Sequence, residues 1–322
     1  MRYGLTRIEF AVAAGACLLA VGVLLPRVQA ARADAARAQC QNNLRKLGQG
    51  FAEFEKVNGG LPPRRAGFNN GAPYSGWGAY VLPYIGEESV AKKYDLKRDF
   101  FDPANRDAVG TQVPVFLCPA APADRALAIQ SQASTKSENA DKDTVFATKA
   151  GACDYISSNG VLIARGGYGL NASATDQMIG NQRQPMADNE FLPVAKITDG
   201  TSCTLLLIEQ AGRPNVWRNG KKKDGNDMFG MSPNARGSWA GWGSIAFGAA
   251  SAETGETPGK GDATDCSVNC NNSFGVYGFH AGGANVLMCD GAVRFMGTRL
   301  DPLTFAYLTI RDDGHLISPT DY

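Results

Sequence analysis

Histidine is nearly missing from this chain: only His280 and His315 occur among 322 residues. That excludes a metal centre built mainly on imidazoles. Neither sign of charge is in excess, with 32 basic side chains against 31 acidic. Without a basic field there is no electrostatic case for a nucleic-acid partner. The sequence also lacks Gly-x-Ser-x-Gly, a P-loop, His-Glu-x-x-His and any Cys-x2-Cys pair. No activated serine, phosphate cradle or thiol knuckle presents itself, and the chain reads as a non-enzyme. An extracytoplasmic hydrolase is the weakest reading. Charge is also absent from Phe10 to Leu25, where every side chain is neutral.

Glu9 opens that uncharged run. A charge at the centre of a bilayer costs on the order of 2–3 kcal/mol or more, so an acid at the edge of such a segment is a functional residue by default. Residues 5–25 fit a membrane helix at the short end of the ~20 apolar residues usual. Pro26 removes a backbone donor and predicts a kink or an end. Beyond it no breaker occurs until Asn58-Gly59-Gly60. Leu44, Leu47, Phe51 and Phe54 recur at steps of three and four, an apolar helical stripe. One helix from Leu5 to Val57 would be roughly 80 Å long. A compact domain has no need of such a rod, whereas a filament core does. The competing reading is a cleaved signal peptide, cut after Val28-Gln29-Ala30. Arg2 and Arg7 before the run and Arg27, Arg32 and Arg37 after it leave the orientation open.

After Gly59 the composition changes. Glycine, 38 residues in all against a usual ~7 %, concentrates here and favours a turn-rich domain. Residues 74–85 are aromatic-rich and are expected to pack against the rod. Val113–Pro119, Cys153–Gly160 and 197–209 read as short buried strands with turns. Residues 120–150, 218–227 and 251–273 read as polar excursions. Asn285–Cys289, an Asp290-Gly291 turn and Ala292–Phe295 read as a β-hairpin, with Gly291 supplying a positive φ. His280, just before it, is expected to be a structural hydrogen-bonding residue near the turn.

Two patterns carry a family resemblance. Gly4, then apolar Leu5, then Glu9 as the fifth residue after the glycine resembles the processing site of type IV prepilins and pseudopilins. The spacing His280-x9-Asp290-Gly291 resembles the signature of a large family of pilin-like proteins abundant in planctomycete bacteria. Gln39-Cys40-Gln41-Asn42-Asn43-Leu44, Phe116-Leu117-Cys118-Pro119 and Asp199-Gly200-Thr201-Ser202 fit that family too, so the likeness spans residues 4–295. It implies that a prepilin peptidase cuts after Gly4 and methylates Leu5, and that Glu9 meets the amine of a neighbouring subunit. Arg7 departs from the family's usual leucine and puts a positive charge two residues before Glu9. Cys203 stands for an expected asparagine and Cys289 for an expected alanine.

The chain has eight cysteines, which suits an oxidising compartment. Against the resemblance, Cys203 and Cys289 form a candidate disulfide on neighbouring strands. Cys266 with Cys270 and Cys118 with Cys153 are further candidates, and Cys17 stays reduced. Asp262, Asp265, Asn269 and Asn271 offer oxygens for calcium, but a solvated loop stapled by one disulfide is the better expectation, and no other cofactor is expected. Lys221-Lys222-Lys223 reads as a solvated tip, and Trp217, Trp239 and Trp242 as core.

The expected fold is α+β and pilin-like, a long amino-terminal helix packed on a carboxy-terminal antiparallel sheet domain. Residues 1–4 would be a leader, 5–58 the helix with 5–25 in the membrane, and 59–322 the extracytoplasmic domain. The expected function is a subunit of a type IV pilus or type II secretion-type filament, anchored in a bacterial inner membrane before assembly. Its partners would be the prepilin peptidase, other pilin or pseudopilin subunits and the lipid bilayer. The alternative is an exported binding module for a glycan, peptide or solute.

Overall fold

The computed structural model describes residues 6–123, 125–131, 145–162, 178–179, 183–224, 237–241, 243–256, 265–315 and 317–318. The chain is α+β. Helix α1 spans Arg7–Asn58 and carries Pro26 inside it, so the proline ends nothing; at most one backbone bond is lost there. Gly59, at φ +77, takes the left-handed position that closes a helix.

The two halves of α1 live in different surroundings. From Val21 to Ala35 every residue is exposed. From Cys40 onward the stripe Leu44, Leu47, Phe51 and Phe54 is buried in the domain. Helix α2 (Trp77–Val81) and the following turn Leu82–Ile85 cover it, with Phe51 5.3 Å from Trp77 and Phe54 5.4 Å from Tyr84 between ring centroids. The aromatic stretch thus packs on the rod as its composition suggests.

The sheet that receives α1 holds five strands: β1 (Tyr155–Leu162), β2 (Leu205–Glu209), β3 (Ser244–Phe247), β4 (Gly283–Met288) and β5 (Val293–Gly297). Their order is β3-β1-β2-β4-β5, with the two-residue strand Met178–Ile179 paired to β1. All neighbours run antiparallel except β3 and β1, which are parallel. Side chains alternate along a strand, and β4 uses both faces. Leu287 joins Leu44, Leu47 and Phe51 beneath α1. Val286 and Met288 join Ile156, Ile208, Phe247 and Phe305 on the other side. Gly48 makes the crossing possible, since a Cβ there would stand 3.0 Å from the Leu287 side chain.

The loop closed by the Met288–Ala292 hydrogen bond holds three residues, Cys289-Asp290-Gly291, rather than two. Gly291 N–H donates to the Met288 carbonyl (3.0 Å), Met288 N–H donates to that of Ala292 (2.9 Å), and Gly291 sits at φ +84. That is a type I turn followed by a left-handed glycine. Two other expectations change. Val113–Pro119 holds a 3-10 turn at Pro114–Phe116 instead of a strand. The polar stretch after 216 begins as a hairpin, Val216–Arg218 with Lys221–Lys223.

Among the described residues no helix is long and apolar enough to cross a membrane. The side chains of Glu9, Ala13, Ala14, Ala16, Cys17 and Ala20 lie outside them, so the uncharged run 10–25 is represented there only in part.

Candidate functional site

Four segments far apart in sequence converge where α1 meets the sheet. Cys40, on the buried face of α1, is bonded to Cys118 with a Cα separation of 4.9 Å. Asn43, one turn further on, donates from Nδ2 to the Leu117 carbonyl at 2.6 Å. Asp154 fixes the same segment from the sheet side. Its Oδ2 accepts the Cys118 N–H at 2.9 Å and its Oδ1 accepts the Gly212 N–H at 3.1 Å. Arg125 grips both oxygens of that buried carboxylate, a bidentate arrangement that offsets the burial of the charge.

His280 enters from the residues before β4, and its side chain is buried. Its Nε2 lies 3.1 Å from Glu209 Oε1 and 3.3 Å from Cys118 Sγ. Both neighbours are acceptors in the oxidised protein, so Nε2 carries the hydrogen. Glu209, the last residue of β2, turns its other oxygen to Asn285, accepting the backbone N–H at 2.8 Å and Nδ2 at 3.2 Å. Gln41 on α1 donates to Asn285 Oδ1 at 3.2 Å, closing the ring back to the helix. Tyr155 completes it, donating from its hydroxyl to the Cys40 carbonyl at 3.3 Å. Burial, with the carboxylates of Glu209 and Asp154 nearby, pushes the Tyr155 phenol well above its ordinary value, so it remains a donor.

The described residues hold one group of side chains able to grasp a metal ion: Cys40, Cys118, Glu209 and His280, all buried, with ligand atoms within 4.8 Å of one another. An apolar-walled cleft of about 430 Å³ runs up to Cys118 between Gln39, Asn43, Pro114, Leu117 and Pro119.

Several expected positions fall elsewhere. Gly4 and Leu5 lie outside the described residues, as does the side chain of Glu9. His280 bonds Glu209 and not the turn. Asp290 stays at the hairpin tip, where Oδ1 accepts the Ala292 N–H at 2.8 Å and its own N–H meets the Thr201 carbonyl at 3.0 Å. The Asp199–Ser202 segment therefore touches the Asp290-Gly291 turn and not the cluster. Asp199 spends its carboxylate on the N–H groups of Asp313 and Gly314.

Two cysteine pairings are corrected. Cys118 joins Cys40, and Cys153 is a free buried thiol whose Sγ donates to the Tyr155 carbonyl at 3.0 Å. Cys203 and Cys289 are both free. A bulge between Leu287 and Met288 shifts the β2–β4 register, so that Cys289 N–H bonds Thr204. One residue of offset turns side chains to opposite faces. Cys266 and Cys270 are bridged. Within that loop Asn269 Oδ1 accepts the Gly278 N–H, and Asn271 Oδ1 accepts three backbone N–H groups. Those oxygens serve the loop itself; Asp262 lies outside the described residues. Trp239 is core, Trp217 stacks edge-on to Phe279 at 4.9 Å, Trp242 is outside the described residues, and Lys221–Lys223 are exposed.

Sequence reasoning passed over Glu209, Cys40 as a bridge partner, and Asn285. Glu209 had a legible signal, an acid closing the wholly apolar run Leu205–Ile208. Cys40 had one as well, lying on the same helical face as Leu44 and Leu47.

An α+β domain whose long helix is stapled to its sheet by this cluster is the class of protein the geometry defines. The chain belongs to the family described as Protein of unknown function (DUF1559), whose model matches residues 29–303. The matched region holds the whole cluster and stops short of Glu9 and the uncharged run. No curated protein and no solved structure matches the chain.

Proposed function

We propose that this chain is a pilin-like or pseudopilin-like subunit of a type IV pilus or type II secretion-type filament. The carrying observation is the first half of α1. Phe10 is 68 % exposed, Leu18 73 % and Leu19 74 %, and Ile8, Leu24 and Leu25 are likewise open. Leaving such side chains in water forgoes roughly 1.5–3 kcal/mol each. A helix that buries its second half in a domain and leaves its apolar first half bare calls for another apolar environment. In this reading a bilayer supplies it before assembly, and the same helices of neighbouring subunits supply it afterwards. In this reading residues 5–25, at the short end of the ~20 residues usual, lie in the bilayer, and the domain then lies outside the inner membrane, as its disulfides favour.

Processing after Gly4 would leave Leu5 as the mature amino terminus. Glu9 would then pair with the amine of an adjacent subunit, which sets the stagger between helices. A Glu9→Val variant tests this directly. It should reach the membrane in normal amount and fail to enter filaments sheared from cells. Normal incorporation of that variant would remove the assembly role of Glu9. Wild-type protein recovered only as a free monomer outside the cell would remove the filament reading itself.

A further inference from the structure

We propose that Cys40, Cys118, His280 and Glu209 form a zinc site when the two cysteines are reduced, which the disulfide replaces on oxidation. This inference stands apart from the filament reading.

A disulfide needs neither of the polar side chains beside it. Its sulfurs are weak acceptors, and burying an imidazole and a carboxylate costs more than apolar packing around the same bridge would. The structure nonetheless directs His280 Nε2 to 3.3 Å from Cys118 Sγ, and Glu209 Oε1 to 3.1 Å from that same nitrogen. The ligand atoms of all four side chains lie within 4.8 Å of one another. Two soft thiolates, one imidazole and one harder carboxylate are all donors that borderline Zn²⁺ accepts, and four ligands complete a tetrahedral shell.

The surroundings are those of ligand support. Asn285 holds Glu209 Oε2 with two N–H donors, and Gln41 holds Asn285. Partners of that sort orient a ligating carboxylate. Of the four ligand residues, Cys118 also lines the neighbouring cleft. The four ligands come from α1, the Pro114–Pro119 segment, the end of β2 and the approach to β4. Zinc would therefore fasten the helix to the sheet as the bridge does, and the staple persists in either redox state.

The chemistry balances. Two thiols and one Zn²⁺ give a zinc dithiolate and two protons, and the His280 ring carries its hydrogen on Nδ1 so that Nε2 can ligate. An oxidant of the disulfide class, such as the oxidised form of a thiol–disulfide oxidoreductase, then takes the two electrons. Both S–Zn bonds and the bonds from His280 and Glu209 to the ion break, the Cys40–Cys118 bond forms, Zn²⁺ leaves, the ring proton returns to Nε2, and the oxidant, having taken the two electrons and two protons from solvent, is released as its dithiol.

The test uses the full chain in detergent, carrying Cys266→Ser and Cys270→Ser to remove the other bridge. It is purified anaerobically with a phosphine reductant, and folding is followed by circular dichroism. One zinc ion per chain should bind. Cobalt in its place should give thiolate-to-metal charge transfer and the strong visible bands of a tetrahedral ion. Adding a small disulfide oxidant should release the zinc in step with formation of the bridge. His280→Ala should weaken binding at least tenfold, and His280→Cys, which restores a soft ligand, should recover it. Should the alanine variant not fold, Glu209→Gln with the cysteine variant carries the comparison. A folded, reduced protein that binds no zinc would overturn the proposal. So would zinc held equally well by the oxidised protein, or by a Cys40→Ser variant.

Discussion

His280 and Glu209, 71 residues apart in the chain, meet in the core with Nε2 3.1 Å from Oε1. The contact ties the residues before β4 to the end of β2, and through Cys118 and Cys40 it reaches the long helix. The cluster is thus the joint by which a rod is fixed to its domain. If the chain assembles as proposed, force on the rod would pass to the domain through this joint.

Removal of the bridge should loosen this joint. The Cys40–Cys118 link closes a loop with a sequence separation of 78, for which the chain-entropy account gives about 4–5 kcal/mol. At ~2–4 °C per kcal/mol for a domain of this size, Cys40→Ser should lower the Tm of the oxidised protein by roughly 10 °C. Differential scanning calorimetry checks it. A Tm within two degrees or so of the parent would show that the helix is held by packing alone.

Asp188 is a second fastening. One carboxylate receives Arg64 at 2.8 and 2.9 Å and Arg65 at 2.8 and 2.6 Å, tying the exit of α1 to the segment around Asp188 that pairs with it. Burial alone would raise its pKa, but the hydrogen bonds and charges of the two arginines outweigh that and hold it well below the usual carboxylate range. A depressed folded value stabilises fully above the unfolded value of ~3.9 and is lost as pH falls below that towards the folded one. Asp188→Asn should cost about 3–5 kcal/mol at neutral pH by stripping two buried guanidinium groups of their carboxylate. Denaturant melts from pH 7 down to pH 2 should also show a shallower acid loss in the variant than in the parent.

The free thiols give a third check. Burial pushes the Cys153 thiol up to about 12, so at neutral pH almost none is thiolate, the form that reacts. Cys153 should resist iodoacetamide in the folded protein and label only on unfolding. Intact mass before and after reduction should show two bridges, with Cys203 and Cys289 contributing none. Peptide mapping that finds Cys203 linked to Cys289 would contradict the strand register.

How much of this could be read from the residues varies with the kind of signal. The long helix was legible because Leu44, Leu47, Phe51 and Phe54 repeat at helical steps and the first proline within it stands alone. The hairpin around Asp290-Gly291 was legible from turn chemistry, although its third loop residue, Cys289, was not. The joint itself was half visible. Cys40, Cys118 and His280 each stood in a segment on which the resemblance rested, yet nothing local says that segments 78 and 162 residues apart meet. The local bridge Cys266–Cys270 was legible, but the two long-range pairings failed because tertiary contacts and strand register decide which cysteines face each other. The lone acid after Leu205–Ile208 was the overlooked clue, since a charge ending a buried strand must find donors.

The central claim concerns the bare half of α1, and the mature amino terminus tests it most directly. Protein isolated from the native membrane or from sheared filaments should begin at Leu5, carrying one methyl group on its amine, when analysed by Edman degradation and mass spectrometry. A mature chain beginning at Ala31 would mean that the apolar half is discarded as a signal peptide, and would contradict the account.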